Sequence, residues 1–130
     1  MHRDERGMSL STMFAVAVLA LLLVAGLVVD GGAQAEASRR AELGAAAAAR
    51  AAADETATAR LAGKAVDAGA AIAVAQRVLD EAGVAGSVTL SAGRVRVTAN
   101  AEVSTVFLSL IGINQLVAKG SAEAELIANE

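Results

Sequence analysis

The chain has no cysteine, proline, tryptophan or tyrosine, and among its 130 residues only Phe14 and Phe107 are aromatic. Without cysteine, no disulfide can staple an exported domain, and no thiolate can bind metal or act as a nucleophile. With so few aromatics, the usual anchors of ligand pockets and tight interfaces are nearly missing. A formal net charge of -3 and a pI near 5.2 leave no basic face for phosphates. Aromatic platforms for base stacking are also lacking, so nucleic acid is excluded as a partner. The single histidine, His2, stands in the short polar stretch that opens the sequence. No HExxH, GxSxG, Walker A or GxGxxG pattern occurs. "DGG" at positions 30–32 is not a phosphate loop, because no lysine follows at the required spacing. The adjacent pairs Asp54-Glu55 and Asp80-Glu81 diverge by about 100° on a helix and cannot share a proton or a metal. The sequence therefore predicts no catalytic residue, no cofactor, no metal site and no small-molecule substrate, and a protein that is not an enzyme.

What the chain does have is a long apolar run. Met8 to Val29 is 22 residues without a charge, counting positions 8 through 29. At about 1.5 Å per residue such a helix spans roughly 33 Å, enough for a hydrocarbon core of about 30 Å. Three readings compete for it. As a secretory leader it would be cut at the small-x-small site Ala33-Gln34-Ala35, releasing a small binding module after Ala35. An export leader's apolar region, however, runs only about 7–15 residues, and this site lies past the end of a longer run. As a plain signal anchor it would tether the rest of the chain outside the membrane. As a pilin-like segment it would be an anchor first and an assembly surface later. Charge barely orients it, because Arg3 and Arg6 precede the run and Arg39 and Arg40 follow it. A short N-terminal stub ahead of a folding C-terminal portion favours the stub remaining cytoplasmic.

Beyond the run, Gly31-Gly32 offers a point at which the helix loosens. The Ala-rich stretch "AQAEASRRAELGAAAAARAAADETATARLAGKA" then continues with strong helix propensity and no proline. One helix is predicted from about Ser9 to Leu61, bent at Gly31-Gly32. Its small residues permit close backbone approach, which predicts lateral packing against copies or partners; the bland alternative is a solvated spacer. A second helix is amphipathic, with Ala71, Ile72, Val74, Ala75, Val78 and Leu79 on one face, Asp67 as N-cap and Gly83 just past its end.

Three strands follow by alternation. Val88 and Leu90 mark the first, and Ser91-Ala92-Gly93 makes the turn. Val95, Val97, Ala99, Ala101 and Val103 point inward along the second. Leu116, Ala118, Gly120, Ala122, Ala124 and Leu126 point inward along the third, which is predicted to run on to Ile127. Between strands two and three, "STVFLSLIG" reads as a short helix or turn capped by Ser104 and stopped by Gly112. Its Val106, Phe107, Leu108, Leu110 and Ile111 are predicted to lead the core. The fold class is α+β: a long N-terminal transmembrane helix followed by a small, pilin-like domain of one amphipathic helix and a three-stranded antiparallel sheet. The expected divisions are a stub over 1–7, the span over 8–29, an Ala-rich extension over 30–63 and the small domain over 64–130.

Asp30 is the charge that stands out, because it sits directly at the end of the span. It is either a helix-end residue at the membrane interface or a polar contact with a neighbouring subunit, since an ionisable group in lipid seeks a partner.

An Arg-Gly ahead of the span in "ERGMSLSTMFAVAVLALLLVAGLVVDGG", followed by "ASRRAELGAAAAARAAA", resembles the N-terminal region of the TadE/TadG-like family. Its members are minor pilins, or pseudopilins, and membrane proteins of the Flp-type tight-adherence pilus system. The resemblance covers about Arg6 to Ala53, with Asp30 and the Ala-Ala-Arg-Ala-Ala stretch at 48–52 among the matching positions. It implies a single-pass protein of the bacterial cytoplasmic membrane with its C-terminal domain extracytoplasmic. The implied partners are the membrane, other pilus-assembly proteins or pilins, and further copies of the chain as a homo-oligomer. Related pilins are cut by a prepilin peptidase after a glycine, which fits cleavage between Gly7 and Met8. Their mature segment often carries Glu at its fifth position, where this chain has Thr12; that departure leans toward an uncut membrane component.

Overall fold

A computed structural model describes the backbone of residues 4–126 and the side chains of residues 7–126. Residues 1–3 of the expected stub, His2 among them, and Ile127 at the expected end of the third strand lie outside the described residues.

The order of elements is α1 (Asp4–Leu61), α2 (Ala68–Glu81), β1 (Ala85–Ser91), β2 (Arg94–Ser104), a 3-10 turn (Leu108–Ile111) and β3 (Gln115–Glu125). The strands form one antiparallel sheet in the order β1-β2-β3. This is the α+β architecture that the alternation and helix periodicity predict.

Helix α1 has 58 residues and runs without interruption through Gly31 and Gly32. The helical backbone continues past both glycines. A Cβ at either glycine would meet nothing within 4 Å, so neither residue is used for close packing. The helix persists because its two flanks are fixed, by Asp30 on one side and by the docked alanines on the other. Each interior glycine costs about 1 kcal/mol relative to alanine, less than tertiary docking returns.

One side of the Ala-rich half of α1 is packed within the chain itself, so this half is not a spacer solvated all round. Ala37, Ala41, Ala45, Ala48, Ala49 and Ala52 are fully or almost fully buried within the chain's own core. Their spacing places them on one side of the helix, and that side lies over β2 and β3 while α2 packs beside it over β1. The small side chains do what small side chains do at any close helix contact, but against a sheet rather than against another copy. Gly120 shows how close the contact is. A Cβ there would stand 2.5 Å from the Ala41 carbonyl carbon and 2.7 Å from Glu42 Cα, both backbone atoms. The inward face of β3 therefore carries a glycine where the helix crosses it.

The rest of the core is built from Ala71, Ala75 and Leu79 of α2, Val84, Val95, Val97, Ala99, Ala101, Ala118 and Leu126, with Val88, Leu90 and Val103 among the half-buried residues around it. The inward face predicted for the second strand is the one observed. Helix α2 starts with the Asp67 side chain accepting the Gly69 amide at 2.9 Å and is followed by Gly83 at φ +70°. The β1–β2 hairpin closes through Ala92 and Gly93, both at positive φ (51° and 74°), as a two-residue turn of the primed type requires. The solvent face of the sheet carries a Ser87–Thr98 hydroxyl pair at 2.7 Å and an Arg96–Glu123 ion pair.

One part of the predicted core is not core. Val106 is 61% exposed, Leu110 82% and Ile111 73%, while Phe107 and Leu108 are half-buried. They belong to the β2–β3 connection, which leaves the end of the sheet and lies along α1 near Gly26 rather than folding under the sheet. Nor does Ser104 cap it: Ser104 is the last residue of β2, and the 3-10 turn has no local side-chain cap. Gly112 does end it, at φ +91°.

Candidate functional site

Asp30 is 3% exposed, the one charged side chain found buried among the described residues. A buried carboxylate must be compensated by donors, and it finds them 76 to 78 residues along the chain. Oδ1 accepts the Val106 amide at 2.9 Å, and Oδ2 accepts the amides of Phe107 at 3.1 Å and Leu108 at 2.8 Å. Three successive N–H groups thus converge on one anion, as in the backbone nests that bind phosphate. Val106 and Phe107 lead into the 3-10 turn and Leu108 opens it; no local side chain caps the turn, and α1 supplies the acceptor instead. The hydrogen bond from Val106, then that from Leu108, hold the Asp30 carboxyl below its ordinary value; burial acts in the opposite direction and the Phe107 amide adds to the lowering.

One turn nearer the N-terminus, Gly26 is buried under the Phe107 ring. A Cβ at that position would stand 2.7 Å from Phe107 Cβ and Cγ. Gly26, the only glycine inside the apolar run, is therefore a seat for an aromatic ring. Gly26, Asp30, Ala37, Ala41, Ala45, Ala48 and Ala52 form one stripe along α1, so the domain leans on the helix from within the apolar run almost to the helix end. At about 1.5 Å per residue, the contact from Gly26 to Ala52 extends for roughly 39 Å.

Four further amides of the connection bond within it. Thr105 N–H donates to Asn114 O, Leu110 N–H to Phe107 O, Gly112 N–H to Ser109 O and Ile113 N–H to Leu108 O. The Ser109 hydroxyl donates to Val106 O at 2.5 Å, and the Thr105 hydroxyl donates to Ile113 O.

The other residues singled out in the sequence are placed as follows. Gly7 and Met8 lie in the helical backbone of α1, and the Thr12 hydroxyl donates to Met8 O at 2.8 Å, one turn back in the same helix. Ala35 is in mid-helix. A cut after it would part Asp30 from its three amides and leave Ala37 at the new end of the core. Of the candidates, then, the fold joins Asp30 to a distant loop and leaves Gly7 and Met8 apart, about 33 Å or more along the helix by its rise. Sequence reasoning missed Gly26 and the loop amides. The signal for Gly26 was there: it stands four residues before Asp30 on the stripe that the buried alanines continue. The loop amides left no trace, since a backbone donor can belong to any residue type. No group of three metal-ligating side chains comes together among the described residues.

Comparison with known proteins places the helix. A family model described as "Putative Flp pilus-assembly TadE/G-like" matches residues 9–55, which are the larger part of α1. No curated protein and no solved structure matches the chain. The matched segment is the one on which the resemblance to the TadE/TadG-like family was read, and the match supports a role in pilus assembly. Together with a helix long and apolar enough to cross a membrane, it supports a membrane-anchored protein that meets other pilus proteins.

Proposed function

We propose that this chain is a non-enzymatic, single-pass component of Flp-type pilus assembly, a minor-pilin-like protein that works by helix–helix association in the bacterial cytoplasmic membrane. The α2-and-sheet domain stands on the extracytoplasmic side, and α1 carries both the anchor and the spine of that domain. The observation that carries the reading is the coincidence of the family match at residues 9–55 with a helix whose first half the chain does not cover. Between Met8 and Val29 every side chain is exposed, and Gly26 is the one residue buried. Such a surface is at rest only in lipid or against other helices. The alanine stripe of the second half is already covered by the chain's own sheet, so association through a continuous apolar surface falls to the first half. A homo-oligomer through the same half is compatible with this.

Recovery from native membranes tests the reading. The tagged protein is expected to bring down pilus-system components, and its deletion to reduce piliation; recovery of the protein alone, with normal piliation in the deletion strain, would sink it. Mass spectrometry of the mature N-terminus then distinguishes the forms. A start at Met8 marks a processed pilin, an intact start marks a fixed membrane component, and a start at Glu36 marks a released module and overturns the proposal.

A further inference from the structure

The β2–β3 connection presents a surface that the rest of the fold does not explain. Val106, Leu110, Ile111 and Ile113 are all substantially exposed large aliphatic residues within one short loop. No charged residue stands between Glu102 and Lys119. A contiguous apolar patch of this kind on a small protein marks an interaction site. Its position says with what. Phe107 seats on Gly26, and Leu110 and Ile111 line a groove whose other wall is Leu19, Leu22 and Leu23 of α1. All four of those helix positions lie inside the apolar run. Gly26 is three residues before its end and Leu19 ten, which is about 4.5 Å and about 15 Å below that end along the axis. A loop at this level cannot be outside the bilayer if the run spans it.

The backbone fits the same environment. Irregular chain is tolerated at membrane depth only where its polar groups are satisfied within the protein. Here Asp30 takes the amides of Val106, Phe107 and Leu108, and internal bonds take those of Thr105, Leu110, Gly112 and Ile113. The polarity of the groove follows the same axis. Apart from Asp30, whose oxygens already accept three amides, its one polar side chain is Gln34 at the end away from Leu19, and Gln34 Oε1 is buried without a protein partner. Apolar at depth and polar at the rim, the groove has the profile of a lipid molecule.

We propose that the Val106–Ile113 loop is a membrane-inserted wedge: it enters the leaflet on the domain's side, and lipid acyl chains fill the groove between it and Leu19–Leu23. Asp30 is the positioning residue, because it ties off the loop's amides and so makes the insertion tolerable. The domain is thereby held against the membrane at two points, the helix and the loop, and its orientation to the bilayer is fixed rather than free to swing. The inference shares with the proposed function only the assignment of residues 8–29 as a span.

Because the chain has no cysteine, single cysteines can be placed without background. The full chain in lipid nanodiscs, carrying an environment-sensitive fluorophore at Leu110→Cys or Ile111→Cys, is compared with Leu22→Cys and Thr89→Cys, using phospholipids brominated along the acyl chain as quencher. Both loop positions are expected to be quenched several-fold more than position 89 and to a degree similar to position 22, at every protein-to-lipid ratio. Quenching at 22 with none at 110 and 111 overturns the wedge and leaves the span intact. Loop probes shielded from water only when two or more copies share a disc, and unquenched by bromine, overturn it in favour of a second copy. Absence of quenching at 22 overturns the span and the wedge together. In the Asp30→Asn variant the loop probes are expected to lose quenching relative to position 22; if both are unchanged, Asp30 does not position the loop.

Discussion

Oδ1 of Asp30 accepts the backbone amide of Val106 at 2.9 Å, joining the end of the apolar run to the connection between the last two strands across 76 residues of chain. A residue that reads as a helix terminus at a membrane surface is thus a tertiary latch. The carboxylate answers a need that arises at the other end of the sequence, where three successive amides lead into a 3-10 turn that has no local side-chain cap.

The latch predicts a local loss on mutation. Asp30→Ala leaves three partly buried amides without an acceptor, and hydrogen exchange at residues 106–108 is expected to rise on the order of tenfold or more. The Tm of the domain should fall on the order of 5–10 °C. Exchange measured by mass spectrometry on the intact protein checks this; unchanged protection at 106–108 would show that the hydrogen bonds contribute nothing.

It also predicts a pH dependence of definite sign. The Asp30 carboxyl is held below its ordinary value of 3.8 by the amides it accepts, Val106 first. As pH falls, the unfolded chain therefore takes up the proton before the folded one does. The stabilisation is complete above the unfolded value and is lost progressively as pH drops below it toward the lowered folded value. Thermal unfolding followed by far-ultraviolet circular dichroism is expected to show wild type losing stability across that acid window more steeply than Asp30→Asn. Identical slopes for the two proteins would refute the assignment.

Gly120 marks the closest approach of α1 to the sheet. Gly120→Ala forces a methyl against the Ala41 and Glu42 backbone, and neither the helix nor β3 can give way cheaply. A destabilisation of about 1–3 kcal/mol is expected from overpacking, read from urea unfolding in micelles. Gly31→Ala is the opposite case, an interior helical glycine with open space around its Cα. It is expected to stabilise by roughly 0.5–1 kcal/mol. If the two substitutions acted alike, close packing would not be what separates them.

Leu79 is the largest of the fully buried side chains, and it joins α2 to the rest of the core. Since most of the remaining core is alanine and valine, its neighbours have little side chain with which to collapse into a void. Leu79→Ala is expected to cost about 2–5 kcal/mol, at the upper end of that range, by the same urea measurement.

How much of this was legible in the sequence depends on the range of the interaction. The inward faces of β2 and β3, the Asp67 cap and the glycines after α2 and the 3-10 turn are set by neighbours a few residues away, and periodicity and turn chemistry read such contacts directly. The apolar run announces a span by length alone. The misread segment was "TVFLSLI". Hydrophobicity says that a residue avoids water, and in a soluble domain that means core. In a chain anchored in a bilayer there is a second refuge, and composition does not distinguish the two. The Ala-rich half of α1 was ambiguous for a related reason: small residues announce close approach but not what approaches.

The sequence by itself determined the long helix, the three alternating strands and the family likeness of residues 9–55, because each is written in local pattern or residue type. Only the tertiary structure decided that the alanine stripe is covered by the chain's own sheet, that Gly26 seats Phe107, and that Asp30 closes on the amides of Val106, Phe107 and Leu108. Those are long-range pairings of small side chains and backbone donors, and neither carries a side-chain signature that could name its partner in advance.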